Sequence, residues 1–81
     1  MRIRVKLFAQ LRELAGAGDL VCEVTAPATT ADVWRALTGA HPALAPFERT
    51  VSCAVNAAYA RMRTPVQADD EVAFLPPVSG G

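Results

Sequence analysis

The sequence predicts an α+β domain in which one main helix packs on one face of a mixed β-sheet. Three observations support this prediction. The first eight residues, MRIRVKLF, alternate apolar and polar side chains with the period of two that is typical of a half-buried strand. The segment TTADVWRALTGAHP carries apolar residues on one helical stripe between a start signal and a stop signal. Two more strand-like segments, VSCAVN and EVAFL, follow that helix.

The first strand should turn Ile3, Val5 and Leu7 toward the core and three cations, Arg2, Arg4 and Lys6, toward water. Phe8 continues the cationic face, so a large apolar ring stands where a polar side chain is expected. It either closes the end of the core or marks a contact surface. The next segment, AQLRELAG, predicts a short helix with Leu11, Leu14 and Ala15 on one side and with Gly16 available to end it.

The segment DLVCEVT predicts the second strand, with Leu20, Cys22 and Val24 inward and with Glu23 opposite the basic face of the first strand. The main helix should begin at Thr29 or Thr30, with Asp32 in its first turn, and Gly39 and Pro42 are its stop signals. Its apolar stripe is predicted as Val33, Leu37 and Ala40, with Trp34 at the edge of the core and Arg35 in solvent. Leu44 and Phe47 are expected to anchor the loop that follows.

The later strands complete the predicted sheet. VSCAVN should turn Val51, Cys53 and Val55 inward, EVAFL should do the same with Val72 and Phe74, and a short edge strand is expected around residues 59–62. Strands, helix and strands in this order form the β-grasp arrangement. We therefore expect one compact domain at residues 1–75 and an extended tail at residues 76–81.

Composition excludes several classes of function. A chain of 81 residues holds one small domain, and its 52% hydrophobic content suffices for a core without disulfide or metal staples. A net charge of zero argues against nucleic acid or an anionic membrane as partner, and without a transmembrane or signal segment we expect a cytoplasmic protein. Cys22 and Cys53 are expected to fill the core. A lone His41 at a helix end and an acidic run at residues 69–71 predict a surface or capping group and a solvated turn, so no metal or other cofactor is expected.

The tail is the part of the sequence that predicts chemistry. Pro76 and Pro77 cannot join a sheet ladder, so the chain should leave as a stiff, extended stalk after Leu75. Six extended residues span up to roughly 20 Å, which is enough for Pro76, Pro77, Val78, Ser79 and Gly80 to enter a narrow channel of another protein. Gly81 then presents a terminal carboxylate, which is ionised at neutral pH and must be activated from outside, and we expect this activation to be adenylation with ATP. The alternative is a frayed terminus.

Three stretches carry a resemblance: KLFAQLRELAG at residues 6–16, AVN at 54–56 and above all DEVAFLPPVSGG at 70–81. With them the chain resembles the small sulfur-carrier subunits of molybdopterin synthase, which have the ubiquitin-like β-grasp fold and a flexible Gly-Gly tail. One departure is Ala68, Asp69 and Asp70, in a turn that usually contains a glycine.

The resemblance implies that an adenylating, E1-like activating enzyme uses ATP on Gly81 and that a sulfur-donating enzyme then makes a thiocarboxylate. The tail would next enter the large synthase subunit and donate sulfur to cyclic pyranopterin monophosphate, in molybdenum cofactor biosynthesis. The carrier would be a non-autonomous subunit, with the catalytic pocket on its partner. Sulfur carriers for thiamin, cysteine or tRNA thiolation, a ubiquitin-like protein modifier, and a domain with an inert tail remain alternatives.

Strand parity then places Phe8, Tyr59 and Leu75 near the base of the tail, with Arg12 as a charged rim. We expect these four residues to dock on the activating enzyme and on the large subunit, because a six-residue tail alone offers too little area for a specific interface. The alternative is that Phe8 and Leu75 cap a small core.

Overall fold

The computed structural model describes residues 1–77. In chain order its strands and α-helices are β1 (Arg2–Leu7), α1 (Ala9–Ala15), β2 (Asp19–Glu23), β3 (Ala28–Thr29), α2 (Thr30–Ala40), β4 (Ser52–Val55), β5 (Ala58–Ala60), β6 (Pro65–Val66) and β7 (Glu71–Leu75). A 3₁₀ helix spans Pro42–Phe47 between α2 and β4.

Five of the strands form a mixed sheet in the order β2-β1-β7-β4-β5. The central strand, β7, pairs in parallel with β1 and antiparallel with β4. The outer pairs, β1 with β2 and β4 with β5, are antiparallel. Side chains of α2 join the buried residues of one face of this sheet in a single core. The predicted α+β fold with one main helix on a mixed sheet is therefore confirmed.

Helix α2 begins where the sequence predicts, directly after Thr29. The backbone N–H of Thr29 donates to the Asp32 carboxylate at 2.8 Å, and the Thr29 hydroxyl donates to the same oxygen at 3.2 Å. The backbone hydrogen bond is the main reason that the pKa of Asp32 lies below its ordinary value. These contacts satisfy groups that a helix start leaves unpaired, so the helix entry is fixed locally.

The core contains Trp34 at its centre, and the prediction of an edge position for this residue is wrong. Trp34 is 2% exposed, and its ring centroid lies 5.0 Å from that of Phe74 with a 58° angle between the planes. The buried face of α2 is wider than the predicted stripe, because Thr30 and Trp34 join Val33 and Leu37. Ala40, predicted as part of the stripe, is exposed, since it is the last helical residue before the chain turns into the 3₁₀ helix.

Helix α1 contributes less to the core than its spacing indicates. Leu11 is fully buried, whereas Leu14 is 43% exposed and Ala15 only partly buried. With seven residues, α1 makes about two turns, and only the residue facing the sheet is covered. Gly16 ends the helix as predicted, at a positive φ of 78° that favours glycine, and its N–H donates to the Arg12 carbonyl at 2.9 Å.

The edge strand β5 starts earlier than the predicted residues 59–62. Asn56 and Ala57 form a two-residue turn with φ of 49° and 70°, so pairing with β4 resumes at Ala58. Strands β3 and β6 were not predicted and form a separate two-stranded sheet, which pairs Ala28 with Val66. Two-residue strands are too short to show an alternating pattern.

Both cysteines are buried, as predicted, and carry free thiols. Burial raises the pKa of the Cys22 thiol and of the Cys53 thiol. Within residues 1–77, no helix has the length and apolar character that crossing a membrane requires.

Candidate functional site

The last strand carries the tail at the centre of the sheet. Phe74 lies opposite Leu7 of β1, and Leu75 lies opposite Ser52 of β4, so β7 is held on both sides up to its end. Because β1 and β7 are parallel, Phe8 follows Leu7 at the same edge of the sheet from which the chain leaves β7. Pro76 is partly buried and Pro77 exposed, while the predicted tail residues Val78, Ser79, Gly80 and Gly81 lie outside the described residues.

A shallow depression beside this exit brings together Phe8, Tyr59 and Leu75. We call it the apolar patch, and its lining is Phe8, Ala54, Ala57, Tyr59, Ala73 and Leu75. Phe8 is 45% exposed and Tyr59 is 88% exposed, so two aromatic rings of the patch are open to solvent. Exposed apolar side chains that cluster in this way are a feature of interaction surfaces.

Register explains why these residues meet. Ala54 of β4 lies opposite both Tyr59 of β5 and Ala73 of β7, so the three form one row across the face of the sheet that points away from α2. Alanine at the two inner positions leaves a low floor between the Tyr59 ring and the side chains of Phe8 and Leu75. The patch thus follows from small residues in the middle of a row and large ones at its rim.

Arg12 does not line the apolar patch. It lines a separate depression with Ala9, Glu13, Gly16, Ala17 and Gly18. A Cβ on Gly18 would lie 3.0 Å from Cδ and Nε of Arg12, so the missing side chain at residue 18 makes room for this arginine. Arg12 is one helical turn from Phe8, but the structure places its side chain against the loop before β2.

The hairpin that carries Tyr59 is fastened to β7 by a polar clamp, which we define as Asn56 and Asp70. Asn56 Nδ2 donates to Asp70 Oδ1 at 3.0 Å, and Asn56 Oδ1 accepts from the backbone N–H of Glu71 at 3.0 Å. Asp70 Oδ2 accepts from the backbone N–H of Gln67 at 2.8 Å. That bond first, and the Asn56 amide second, hold the pKa of Asp70 below its ordinary value.

Sequence reasoning treated Asp70 as part of a solvated turn and so missed its role in the clamp. The available signal was the pair of turn-forming residues, Asn56 and Asp70, next to two strands that the sequence does predict. The same turn explains the missing glycine, because Asp69 takes the left-handed conformation, with φ of 67°. Aspartate tolerates this region better than most residues do.

We call the face of the sheet that points away from α2 the outer face. The half of it that does not carry the apolar patch is charged. Lys6 lies between Ala73 of β7 and Asp19 of β2, and its Nζ is 3.2 Å from Asp19 and 3.8 Å from Glu71. Arg4 donates from its guanidinium to the backbone oxygen of Asp69 at 3.3 Å. Side chains of both signs pair here, which leaves the apolar patch as the uncharged half of the face.

Residues 1–77 contain no group of three or more His, Cys, Asp or Glu side chains placed to hold a metal ion. His41 caps α2, where its backbone N–H donates to the Leu37 carbonyl at 2.8 Å. The described part of the chain therefore offers the apolar patch beside the point where the chain leaves β7.

Comparisons with known proteins agree with this arrangement. The model of the ThiS family matches residues 5–81. The molybdopterin synthase sulfur carrier subunit of Chlamydomonas reinhardtii is 39% identical over 83 aligned positions, with 100% of both chains covered. Small archaeal modifier protein 1 of Haloferax volcanii is 38% identical, with 94% of this chain and 97% of that protein covered.

Solved structures have the same fold. The crystal structure of the Haloferax volcanii modifier superposes with a TM-score of 0.87 at 36% identity and covers 100% of both chains. A chain from the complex of subunits 1 and 2 of the molybdopterin-converting factor of Helicobacter pylori superposes with a TM-score of 0.68 at 21% identity, again with 100% of both chains covered, which shows the shared fold.

Proposed function

The chain belongs to the ThiS family, and we infer from this membership that it works as the sulfur carrier subunit of a molybdopterin synthase. The observation that carries this inference is the Chlamydomonas reinhardtii relative of that name, which aligns over the whole of both chains at 39% identity. Coverage of both chains matters because the tail and the folded body are then compared together.

The reactive group in this proposal is the carboxylate of Gly81. A carboxylate is ionised near neutral pH and resists attack by nucleophiles. We propose that an activating enzyme transfers the adenylyl group of ATP to this carboxylate and that pyrophosphate leaves. Sulfur at the oxidation level of sulfide, supplied by a sulfur-donating enzyme, then bonds to the acyl carbon, the bond from that carbon to the phosphate oxygen breaks, and AMP leaves a thiocarboxylate on Gly81. The carrier itself needs no bound cofactor for these steps, since ATP belongs to the activating enzyme.

The next proposed step takes place on the large subunit of the synthase. The tail of residues 76–81 enters that subunit, and the thiocarboxylate gives its sulfur to cyclic pyranopterin monophosphate. Glycine at the last two positions suits a narrow channel because it adds no side chain. The firm anchoring of β7 supports this role, since a stalk that starts at the centre of a sheet has a fixed direction of exit.

The proposed docking surface for both partners is the apolar patch. Phe8 and Tyr59 present aromatic rings beside the exit of the tail, and aromatic residues are enriched in the cores of interfaces. Arg12 belongs to the proposal only as a neighbouring charged contact, because its side chain lies in the adjacent depression. Contact at the patch and insertion of the tail would together give the area that the tail lacks alone.

Mass spectrometry of the intact protein tests the proposal. The chain is produced together with its activating enzyme and a sulfur donor, and we expect a mass gain equal to the replacement of one oxygen by one sulfur. A matched variant without Gly81 should show no gain. An unchanged mass in the full chain, while pyrophosphate is released, would contradict the carrier role.

The Haloferax volcanii relative favours a second candidate function, attachment to other proteins through Gly81. It is named a modifier, its sequence is 38% identical to this chain, and its crystal structure superposes with a TM-score of 0.87. If this chain acts in the same way, covalent conjugates should survive denaturing electrophoresis and disappear when Gly81 is deleted. The thiocarboxylate measurement and the conjugate measurement give separate answers.

A further inference from the structure

Once Gly81 is activated, it can acylate nucleophiles of the chain that carries it. An acyl adenylate reacts with amines and thiols, so each nucleophile on the carrier competes with the sulfur donor. This concern rests on the proposed function of Gly81. The candidate acceptors are the amines and thiols of this chain.

Side-chain amines are almost absent from the sequence. Of the eight Lys and Arg residues, Lys6 is the only lysine and seven are arginines. An arginine side chain remains protonated in proteins and is therefore a poor acyl acceptor. The other primary amine is that of Met1, just before β1, and it donates a hydrogen bond to the backbone oxygen of Val24.

Burial makes the two thiols inaccessible to an acyl group. Cys22 is 9% exposed and Cys53 is 3% exposed, and both face the core. Desolvation raises the pKa of each thiol, which disfavours the thiolate that would attack an acyl group. Lys6 is consequently the one side-chain nucleophile of these two classes that lies on the surface.

Lys6 also lies within reach of the tail. It is opposite Ala73 on the outer face, two residues before β7 ends at Leu75. The six residues of the tail span up to roughly 20 Å, so Gly81 can return to Lys6 of its own chain or meet that of a second copy. Distance alone therefore does not protect this amine.

The Lys6 amine instead forms ion pairs with two carboxylates. Its Nζ lies 3.2 Å from Asp19 and 3.8 Å from Glu71, while 45% of the side chain remains exposed. An amine held between two carboxylates must leave these partners before its nitrogen can approach an acyl carbon. We propose that Asp19 and Glu71 protect the carrier from acylation by its own activated terminus, with Lys6 as the site that is protected.

The suppressed reaction is simple amide formation. The Lys6 nitrogen attacks the acyl carbon of adenylated Gly81, a carbon–nitrogen bond forms, the bond from that carbon to the phosphate oxygen breaks, and AMP leaves. The nitrogen releases a proton to solvent. Within one chain the product is a ring, and between two chains it is an isopeptide-linked dimer.

Chemical acetylation tests the protection without any activating enzyme. Arg49→Lys supplies a reference amine at an exposed position that has no ion pair within residues 1–77. Sulfosuccinimidyl acetate should modify Lys6 about two- to fivefold more slowly than residue 49, because exposed ion pairs have modest strength. Asp19→Asn with Glu71→Gln should bring the two rates together, and equal rates before these changes would overturn the proposal.

A matched control separates local protection from net charge. Glu13→Gln with Glu48→Gln removes two exposed carboxylates elsewhere and should leave the Lys6 rate unchanged. Asp19→Asn alone provides the same comparison with one contact removed, should the double variant unfold. A Lys6 rate that rises equally in the control pair would refute the role of Asp19 and Glu71.

The enzymatic test uses ATP and the activating enzyme without a sulfur donor. The Asp19→Asn, Glu71→Gln variant should form an amide at Lys6 about two- to fivefold faster than the unmodified chain, and Lys6→Arg should abolish it. Equal rates with pyrophosphate release would refute the protection while leaving the proposed function intact. Absence of pyrophosphate release would instead refute the proposed function, and the acetylation result would still decide the protection.

Discussion

Phe74 and Leu75 are adjacent apolar residues of β7, yet they lie on opposite faces of the sheet. Phe74 is fully buried against Trp34 on the inner face, which α2 covers. Leu75 lies on the outer face, where it lines the apolar patch with Phe8 and Tyr59. The comparison indicates that the inner face supplies stability, whereas the outer face leaves apolar side chains open to solvent.

The largest effect should come from the inner face. Phe74→Ala removes a ring from the centre of the core, and such truncations lower the free energy of unfolding by about 3–5 kcal/mol. Urea unfolding followed by circular dichroism measures this loss. A loss below about 1 kcal/mol would break the comparison, because the inner face would then not be the main source of stability.

The outer face should show the opposite balance. Phe8→Ala and Leu75→Ala should each weaken binding to the activating enzyme or to the large subunit by more than about 1 kcal/mol, as truncations of central interface residues do. Their unfolding free energies should change by less than about 1 kcal/mol, since Phe8 is already 45% exposed. Titration calorimetry and urea unfolding give the two numbers.

Val21→Ala is the matched control for this pair. Val21 is 53% exposed on the same face but lies in β2, outside the apolar patch. Its truncation should leave partner binding unchanged. If instead Phe8→Ala unfolds the chain and spares binding, Phe8 is a cap of the core.

The polar clamp should make the stability of the fold depend on pH. Hydrogen bonds from Gln67 and Asn56 lower the pKa of Asp70 below its ordinary value of 3.8, so this carboxylate stabilises the fold when ionised. That contribution is present above the unfolded pKa and is lost as the pH falls through the lower, folded pKa. Urea unfolding should be measured between pH 5 and pH 3, about one unit on each side of a typical aspartate pKa. The free energy of unfolding should fall less steeply with decreasing pH for Asp70→Asn than for the parent chain. Equal slopes would contradict this role.

The smallest effect concerns the turn beneath Tyr59. Ala57 has φ of 70°, a left-handed conformation that costs a non-glycine residue roughly 1 kcal/mol. Ala57→Gly relieves this strain but adds freedom to the unfolded chain, so a net gain of about 0.5 kcal/mol is expected. Gly39→Ala, in the last turn of α2 with open space at its Cβ, should also stabilise, by about 0.5 kcal/mol. A loss of stability in Ala57→Gly would show that its turn is unstrained.

Much of the inner face could be predicted from the sequence because its patterns are local. Alternation in β1 and β7 identified Ile3, Val5, Val72 and Phe74 as core residues, and Thr29 with Asp32 identified the start of α2. Trp34 was misplaced because the width of a buried helical face depends on what packs against it. Leu14 and Ala40 were misplaced because a helix end loses cover that periodicity does not record.

The outer face could be predicted only in part. Strand parity brought Phe8 and Leu75 to one surface, since successive side chains of a strand point to opposite faces and each follows a residue predicted to face inward. The place of Arg12 depends on Gly18, and the clamp depends on a contact between residues 56 and 70, so neither has a local signature. Strands β3 and β6 have two residues each and leave no periodic trace.

The central position of β7 also governs when this chain can fold during its synthesis. The parallel pairing of β1 with β7 joins the first strand to the last, so the sheet stays open until residue 75 has left the ribosome. Any product truncated before that strand lacks the middle of its sheet and exposes the apolar residues of β1 and β4 to proteases. Cellular quality control would therefore remove copies that end before β7.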